Sequence, residues 1–358
     1  MANLKIGLIG CGRISQLVHL VNLARLPNVE ITALAELDPD RRAQAARQAP
    51  RAAAFADYQE LLEMREVDAV VICLPNALHA RAGIAAMERG KHVYLEKPLA
   101  TNVADGWRVV EAWRRSGLVG MIGFNYRFQR LYQCLKQQIQ AGRLGELVGV
   151  SSVFSTAGRQ LPDWKLTREN GGGVLLDLAS HHIDLISYLL EQSVCEVFAR
   201  IQSKRSEQDT AALQLRLASG LAVQCFFSLN AAEEDRFELY GTAGKLTADR
   251  YLSSDLEISD AARNLARVKK FGHSMRSLLH SPYLLERFRK DTGDPSFHSA
   301  LAYFVESVRL ARAAQPDFLD GLRSLAVIEA AEKSARASCA VSIAESAREE
   351  EKQNARAG

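Results

Sequence analysis

Short apolar runs that stop at glycine, proline or asparagine alternate with segments of helical spacing through the first third of the chain. Leu4–Ile9 reads as a buried strand that ends in Gly10-Cys11-Gly12, and helical apolar spacing follows over Ile14–Leu26. Glu30–Ala35 is a second strand, followed by a helix that Asp38-Pro39 opens and that contains Arg41–Gln48. Ala69–Leu74 stops at Pro75-Asn76, and the helix Ala77–Arg89 stops at Gly90. Strand Val93–Leu95, helix Val103–Arg115 and strand Val119–Phe124 complete the series. Strands this apolar, each separated from the next by a helix, predict a parallel sheet covered on both faces. The pattern assigns 1–124 to one doubly wound α/β domain.

After about Asn125 the pattern changes. A helix around Leu131–Ala141 precedes longer, partly alternating strands at Val148–Ser155, Val194–Ile201, Thr210–Ala218, Ala222–Leu229 and Arg236–Tyr240. Turn signals such as Ser219-Gly220 separate them, and helices Phe297–Ala314 and Gly321–Ala337 follow. This predicts a second, α+β domain over 125–343 with an open, mostly antiparallel sheet. The stretch from Arg250 to Pro295, with its basic pair Lys269-Lys270, carries no readable fold. From 344 to 358 the chain is charged and without aromatics, which predicts a frayed tail.

With 358 residues, 47% of them apolar, the chain can bury two cores. A formal charge of +3 from scattered residues argues against nucleic acid as a partner. No apolar run approaches membrane-spanning length, and the start at Met1-Ala2-Asn3-Leu4-Lys5 resembles no targeting segment. The six cysteines show no paired metal spacing, so buried thiols in a reducing cytoplasm are expected and no metal is assigned.

In Gly10-Cys11-Gly12-Arg13-Ile14-Ser15, Ser15 stands where the dinucleotide fingerprint has its third glycine. The first two glycines still allow a tight turn and close backbone approach to a pyrophosphate at a helix start. Glu36, at the end of the second strand, has the spacing of the acid that accepts from ribose hydroxyls. A carboxylate there repels a 2′-phosphate, which favours NAD over NADP, although Arg13 or Arg41 stands close enough in sequence to reach one. Strand, glycines, helix and acid in this order favour a dinucleotide site over an ordinary glycine turn with a surface glutamate.

Lys97, in His92-Val93-Tyr94-Leu95-Glu96-Lys97-Pro98, falls at the carboxyl end of a strand, where open α/β sheets bind their ligands. Further on, Gly171-Gly172-Gly173 leads into a helix on which Asp177, His181 and Asp184 share a face at i, i+4 and i+7. Adjacent His182 points away and is expected to be packed or hydrogen-bonded. Asn76 is either a helix cap or a cofactor contact, and His79 lies near it. Arg127 touches substrate or bridges the domains. Trp164, Lys165 and Arg168 precede the glycines, where they either roof a pocket or are solvated.

As an ordered set these motifs resemble the Gfo/Idh/MocA family of nicotinamide-dependent oxidoreductases from about Leu4 to Ile343. The resemblance implies a Rossmann domain at the N-terminus and, for its inositol dehydrogenase-like branch, catalytic roles for Lys97, Asp177 and His181. It implies cofactor contacts at Gly10, Gly12, Arg13, Ile14, Glu36, Asn76, His79, Glu96 and Lys97. Substrate contacts are implied at Lys97, Arg127, Trp164, Lys165, Asp177 and His181, with a sugar, inositol or related polyol as substrate. It also implies a homodimer or homotetramer. Two other functions stay open: a glycosidase that oxidises its sugar transiently on bound NAD, and a non-catalytic regulator.

Overall fold

A computed structural model describes residues 3–158, 160–252, 255–260 and 294–343. The Lys269-Lys270 pair, most of the unassigned stretch and the expected tail at 344–358 lie outside the described residues. The chain divides into two compact units. One takes 1–125, 169–171 and 292–325; the other takes 126–168, 172–291 and 326–358. The helix Pro295–Arg309 therefore belongs with the N-terminal sheet, and Phe318–Ala337 gives its residues through Leu325 to the same unit.

The first unit is built on β1 (Leu4–Ile9), β2 (Val29–Ala35), β3 (Ala53–Phe55), β4 (Ala69–Ile72), β5 (His92–Leu95) and β6 (Gly120–Ile122). All pairs are parallel, in the order β3-β2-β1-β4-β5-β6. The order reverses between β1 and β4, the switch point outside which a doubly wound sheet binds its ligand. Ile6, Leu8, Val70, Val71, Val93 and Leu95 are fully buried, as strands covered on both faces require. Strand β3 was not legible: it is a three-residue edge with two exposed alanines and no apolar run to mark it.

The helices follow local signals. Asp38 accepts from the N–H groups of Asp40 and Arg41 and caps Pro39–Gln48. Gly90 and Gly117 adopt positive φ just beyond the helices His79–Glu88 and Val103–Ser116. The helix expected over Ile14–Leu26 instead starts as a π-helical turn, Ser15–His19, before α-helix at Leu20–Leu23. Such turns concentrate at functional sites.

The second unit holds β7 (Leu147–Ser155), β8 (Val194–Gln202), β9 (Thr210–Leu217), β10 (Ala222–Ser228), β11 (Glu234–Gly241), β12 (Gly244–Asp249), β13 (Glu257–Asp260) and β14 (Val341–Ser342). Their order is β13-β12-β11-β7-β10-β9-β8-β14, antiparallel except where β7 and β10 run parallel. Alternation is clean: Leu213, Leu215, Val223 and Phe227 face inward, while Gln214, Arg216, Gln224 and Phe226 face outward. The inner face is covered partly by the helix Ser180–Leu190, whose His182 reaches Ser152 on β7. No helix among the described residues is long and apolar enough to cross a membrane.

All six cysteines are free, but only Cys11, Cys73 and Cys225 are buried. Cys134 and Cys195 are half-buried and Cys339 is exposed, so the expectation of buried thiols holds for half of them. The other three lie on partly solvated elements rather than in a core.

Candidate active site

In the first unit the predicted residues gather at the carboxyl ends of β1, β2, β4 and β5. Gly10 has φ +86°, and a Cβ there would sit 2.7 Å from the Cys73 carbonyl oxygen, so β1 can turn beside β4 only with glycine. A Cβ on Gly12 would meet no atom of the described residues within 4 Å, its chain neighbours aside, so they leave the loop open on that side to an incoming ligand. Arg13 and Ile14 are exposed beside it. Glu36 faces the turn: its Oε2 accepts from the Cys11 N–H at 2.7 Å and its Oε1 from the Asp38 N–H at 3.1 Å. Arg42, which the sequence did not single out, donates to the carbonyls of Glu36 at 2.6 Å and Leu37 at 3.2 Å. Arg41 instead approaches Asp38, at 3.8 Å.

These observations fit a dinucleotide. The turn is open where a pyrophosphate would approach, and a half-buried carboxylate stands at the ribose end.

The other first-unit positions are more enclosed. Asn76 is buried and donates from Nδ2 to the Gly171 carbonyl at 2.8 Å; it makes no side-chain cap bond to its own helical turn. His79 is buried between two carbonyls. Glu96 is buried and bonded to His19. Burial opposes ionisation of Glu96, but the His19 bond and the neighbouring Lys97 and His79 hold its carboxyl below the usual range. Lys97 is the one residue from Val93 to Ala100 that is not buried, and its peptide bond to Pro98 is cis.

In the second unit Gly172 and Gly173 have a steric purpose. A Cβ on Gly172 would fall 2.2 Å from the Lys165 carbonyl oxygen, and Gly173 has φ +93°. That close approach brings the short helical turn Asp163–Lys165 against the start of the next helix, and Lys165 Nζ lies 2.7 Å from Asp177 Oδ1. Lys165 also stands over the Trp164 ring, 5.3 Å from its centroid. Helix begins here as a second π turn, Leu175–Ala179, and becomes α at Ser180.

The expected face of three residues is divided. Asp177 and His181 are half-exposed on a segment otherwise buried from Gly171 through Ile186. Asp184 is buried and forms a bidentate pair with Arg127, at 2.5 and 2.9 Å. Arg168 pairs with Glu332 and is largely buried, so it is not a solvated cation. His182, as expected, is packed and bonded: Nδ1 meets Ser152 Oγ at 2.7 Å and Nε2 meets Asp235 Oδ1 at 3.1 Å.

The residues that sequence reasoning missed lie around His181. Its ring stacks on Tyr126 at 4.3 Å and 15°. The Tyr126 hydroxyl donates to Asp235, 3.2 Å away, and Asp235 also accepts from Tyr132 and from Arg250 Nε at 2.7 Å. Burial resists the Asp235 charge, yet Arg250 and the His182 bond hold its carboxyl well below the ordinary range. No local pattern marks this cluster, because its members come from five separate segments. Among the described residues no group of three or more histidine, cysteine or acidic side chains is placed to hold a metal.

Residues 4–124 match the model of an oxidoreductase family with an NAD-binding Rossmann fold, and residues 132–247 match that of the GFO/IDH/MocA C-terminal domain. The chain is 28% identical over 342 residues to myo-inositol 2-dehydrogenase of Thermotoga maritima, spanning 92% of this chain and 96% of that protein. It is 33% identical over 258 residues to dTDP-3,4-didehydro-2,6-dideoxy-alpha-D-glucose 3-reductase of Streptomyces violaceoruber, over 70% of this chain and 74% of that one. Levoglucosan dehydrogenase in complex with NADH and L-sorbose has the same fold, with a TM-score of 0.84 at 22% identity over 95% of this chain and 99% of that one.

Proposed function

We propose that this chain, which belongs to the GFO/IDH/MocA family of NAD-binding oxidoreductases, moves a hydride between the nicotinamide and a hydroxyl-bearing carbon of a sugar, inositol or related polyol. The observation that carries the reading is selective exposure. Lys97 is left accessible in a buried strand end, and Asp177 with His181 in a buried helix wall. Bound NAD supplies the hydride acceptor, so the chain must bind, orient and move a proton.

His181 is the proton carrier in this reading: base for oxidation, acid for reduction. An imidazole has an ordinary pKa of about 6.5, which suits transfer near neutrality. Lys97 donates to the reacting oxygen and favours developing alkoxide charge. Asp177, bridged to Lys165, fixes the charge beside the imidazole. Gly10, Gly12, Arg13, Ile14, Glu36 and Asn76 hold the cofactor, and buried His79 and Glu96 pack on either side of the chain that carries Lys97. Arg127, locked on Asp184, and Trp164 border the substrate.

The outer face of the large sheet supports a homodimer or homotetramer. Phe226 and Tyr240, at 39% and 41% exposure, share that face with Val153 and Phe198.

A panel of inositols, neutral sugars and sugar nucleotides, followed by NADH absorbance, tests the proposal. Net NADH formation with a polyol is the expected result. Sugar release without NADH accumulation would establish the glycosidase instead, and binding without either product a regulator.

A further inference from the structure

Two buried imidazoles, from different helices, grip the residues on either side of Lys97. His19 ends the π turn after the glycine loop and is fully buried. Its Nε2 lies 2.7 Å from Glu96 Oε1. A carboxylate can only accept, so Nε2 carries the proton. The ring packs edge-on against Tyr94 at 5.8 Å and Phe297 at 5.9 Å, and Nδ1 is buried with no hydrogen-bond partner among the described residues. Such a ring has one way to sit.

His79 opens the helix after β4. Its Nδ1 lies 2.6 Å from the Pro98 carbonyl oxygen and its Nε2 2.8 Å from that of Leu74. Whichever nitrogen carries the proton, the ring spans the chain just beyond β4 and the chain just beyond β5. Glu96 is fixed further by its own N–H, which donates to Ile72 O at 3.0 Å. Gly123 closes over it: a Cβ there would stand 3.1 Å from Glu96 Oε2. The residue before Lys97 is thus held by its side chain and the residue after it by its carbonyl. Only Lys97 itself points out of the buried run.

We propose that His19 and His79 are positioning residues for the Lys97 amine, acting through Glu96 and Pro98 rather than by touching cofactor or substrate. The inference rests on the reading of Lys97 as the group that engages the reacting oxygen. Misplacing such a group by an ångström costs on the order of 100-fold in rate, although binding elsewhere is intact.

The experiment compares His19→Leu and His79→Leu, which keep volume but lose the bonds, with His19→Gln and His79→Gln, which restore a donor. Steady-state kinetics and NADH affinity by fluorescence are measured beside the rate at which limited acetic anhydride modifies Lys97. That rate is read by peptide mass spectrometry against Lys5 and Lys245 as internal references. The leucine variants are expected to lose roughly 10- to 100-fold in kcat, with NADH affinity and substrate KM changed by less than about threefold. Lys97 modification should rise at least threefold relative to the references, and the glutamine variants should recover part of both effects. Modification rates and kcat at wild-type values in the leucine variants overturn the proposal. If these variants do not fold, the glutamine variants decide by the same labelling ratio, since a flexible amide replaces the fixed imidazole at both positions. Lys97→Ala separates the two levels: wild-type turnover there removes the catalytic reading, while the labelling ratio still decides whether the histidines hold the amine.

Discussion

At the scale of single residues, accessibility decides chemistry more than residue type does. Two adjacent histidines show it: His181 is half-exposed on a Tyr126 platform, and His182 is sealed between Ser152 and Asp235. His181→Ala should lower kcat by roughly 10²–10⁴-fold, the usual worth of a general acid–base group, and leave NADH affinity unchanged. Turnover within a few-fold of wild type would remove His181 from the mechanism. The thiols give a second residue-scale test. Burial, then the Glu36 charge, pushes the Cys11 thiol up to about 12, and burial pushes Cys225 up to about 12 against the pull of Ser152. At pH 8 both stay protonated, so iodoacetamide should label exposed Cys339 in the native protein and spare Cys11 and Cys225. The unfolded chain releases these protons near the ordinary value of 9.0 and the folded chain keeps them. Stability should therefore fall as pH climbs from about 9 towards 12.

Among the elements, those with strong periodicity were legible and those made by their surroundings were not. Leu4–Ile9 ends at Gly10, and the helix Pro39–Gln48 announces itself with Asp38-Pro39. Strand β3 is three residues long, and the short pairing of β14 with β8 depends on partners far away in sequence, Val341↔Val197 being 144 positions apart. The π turns at Ser15–His19 and Leu175–Ala179 were also hidden, because both carry ordinary helical composition. The second turn matters most: it divides Asp177 from the α-helical register that carries His181 and Asp184. Element packing then makes its own prediction. Tyr126→Phe keeps the ring under His181 and loses only the hydroxyl bond to Asp235, whereas Tyr126→Leu loses the platform. Turnover should stay within about threefold in the first and fall roughly 10- to 100-fold in the second; equal losses would mean that the stack does not hold His181. Asp235→Asn should cost about 3–5 kcal/mol in urea unfolding, because it removes the buried carboxylate that faces the Arg250 guanidinium and accepts from Tyr126 and Tyr132.

For the whole molecule, buried histidine sets the acid side of stability. Burial lowers His182 despite its bond to Asp235, so the folded ring stays neutral while the unfolded one takes a proton below about pH 6.5. Unfolding free energy should decline as pH drops from 7.5 to 5.5, and His182→Gln should flatten that decline. Asp235 acts lower: its depressed carboxyl contributes stability that is lost only as pH falls below about 4. Light scattering on the wild-type chain should give twice or four times the 39.5 kDa monomer mass, and Phe226→Asp should shift it towards one. A wild-type monomer would leave the outer sheet face without that role. Sequence alone determined the two kinds of sheet, the glycine turn with Glu36, and the identity of Lys97, Asp177 and His181 as candidates. Each of these is encoded by spacing within a few residues or by an ordered series of short motifs. Tertiary structure alone decided the partners: His19 on Glu96, Arg127 on Asp184, Arg168 on Glu332, and Tyr126 with Arg250 on Asp235. Those pairs join residues 15 to 164 positions apart. A buried charge must find its counter-charge wherever the folded chain brings one, and no local pattern of residue types says where that will be.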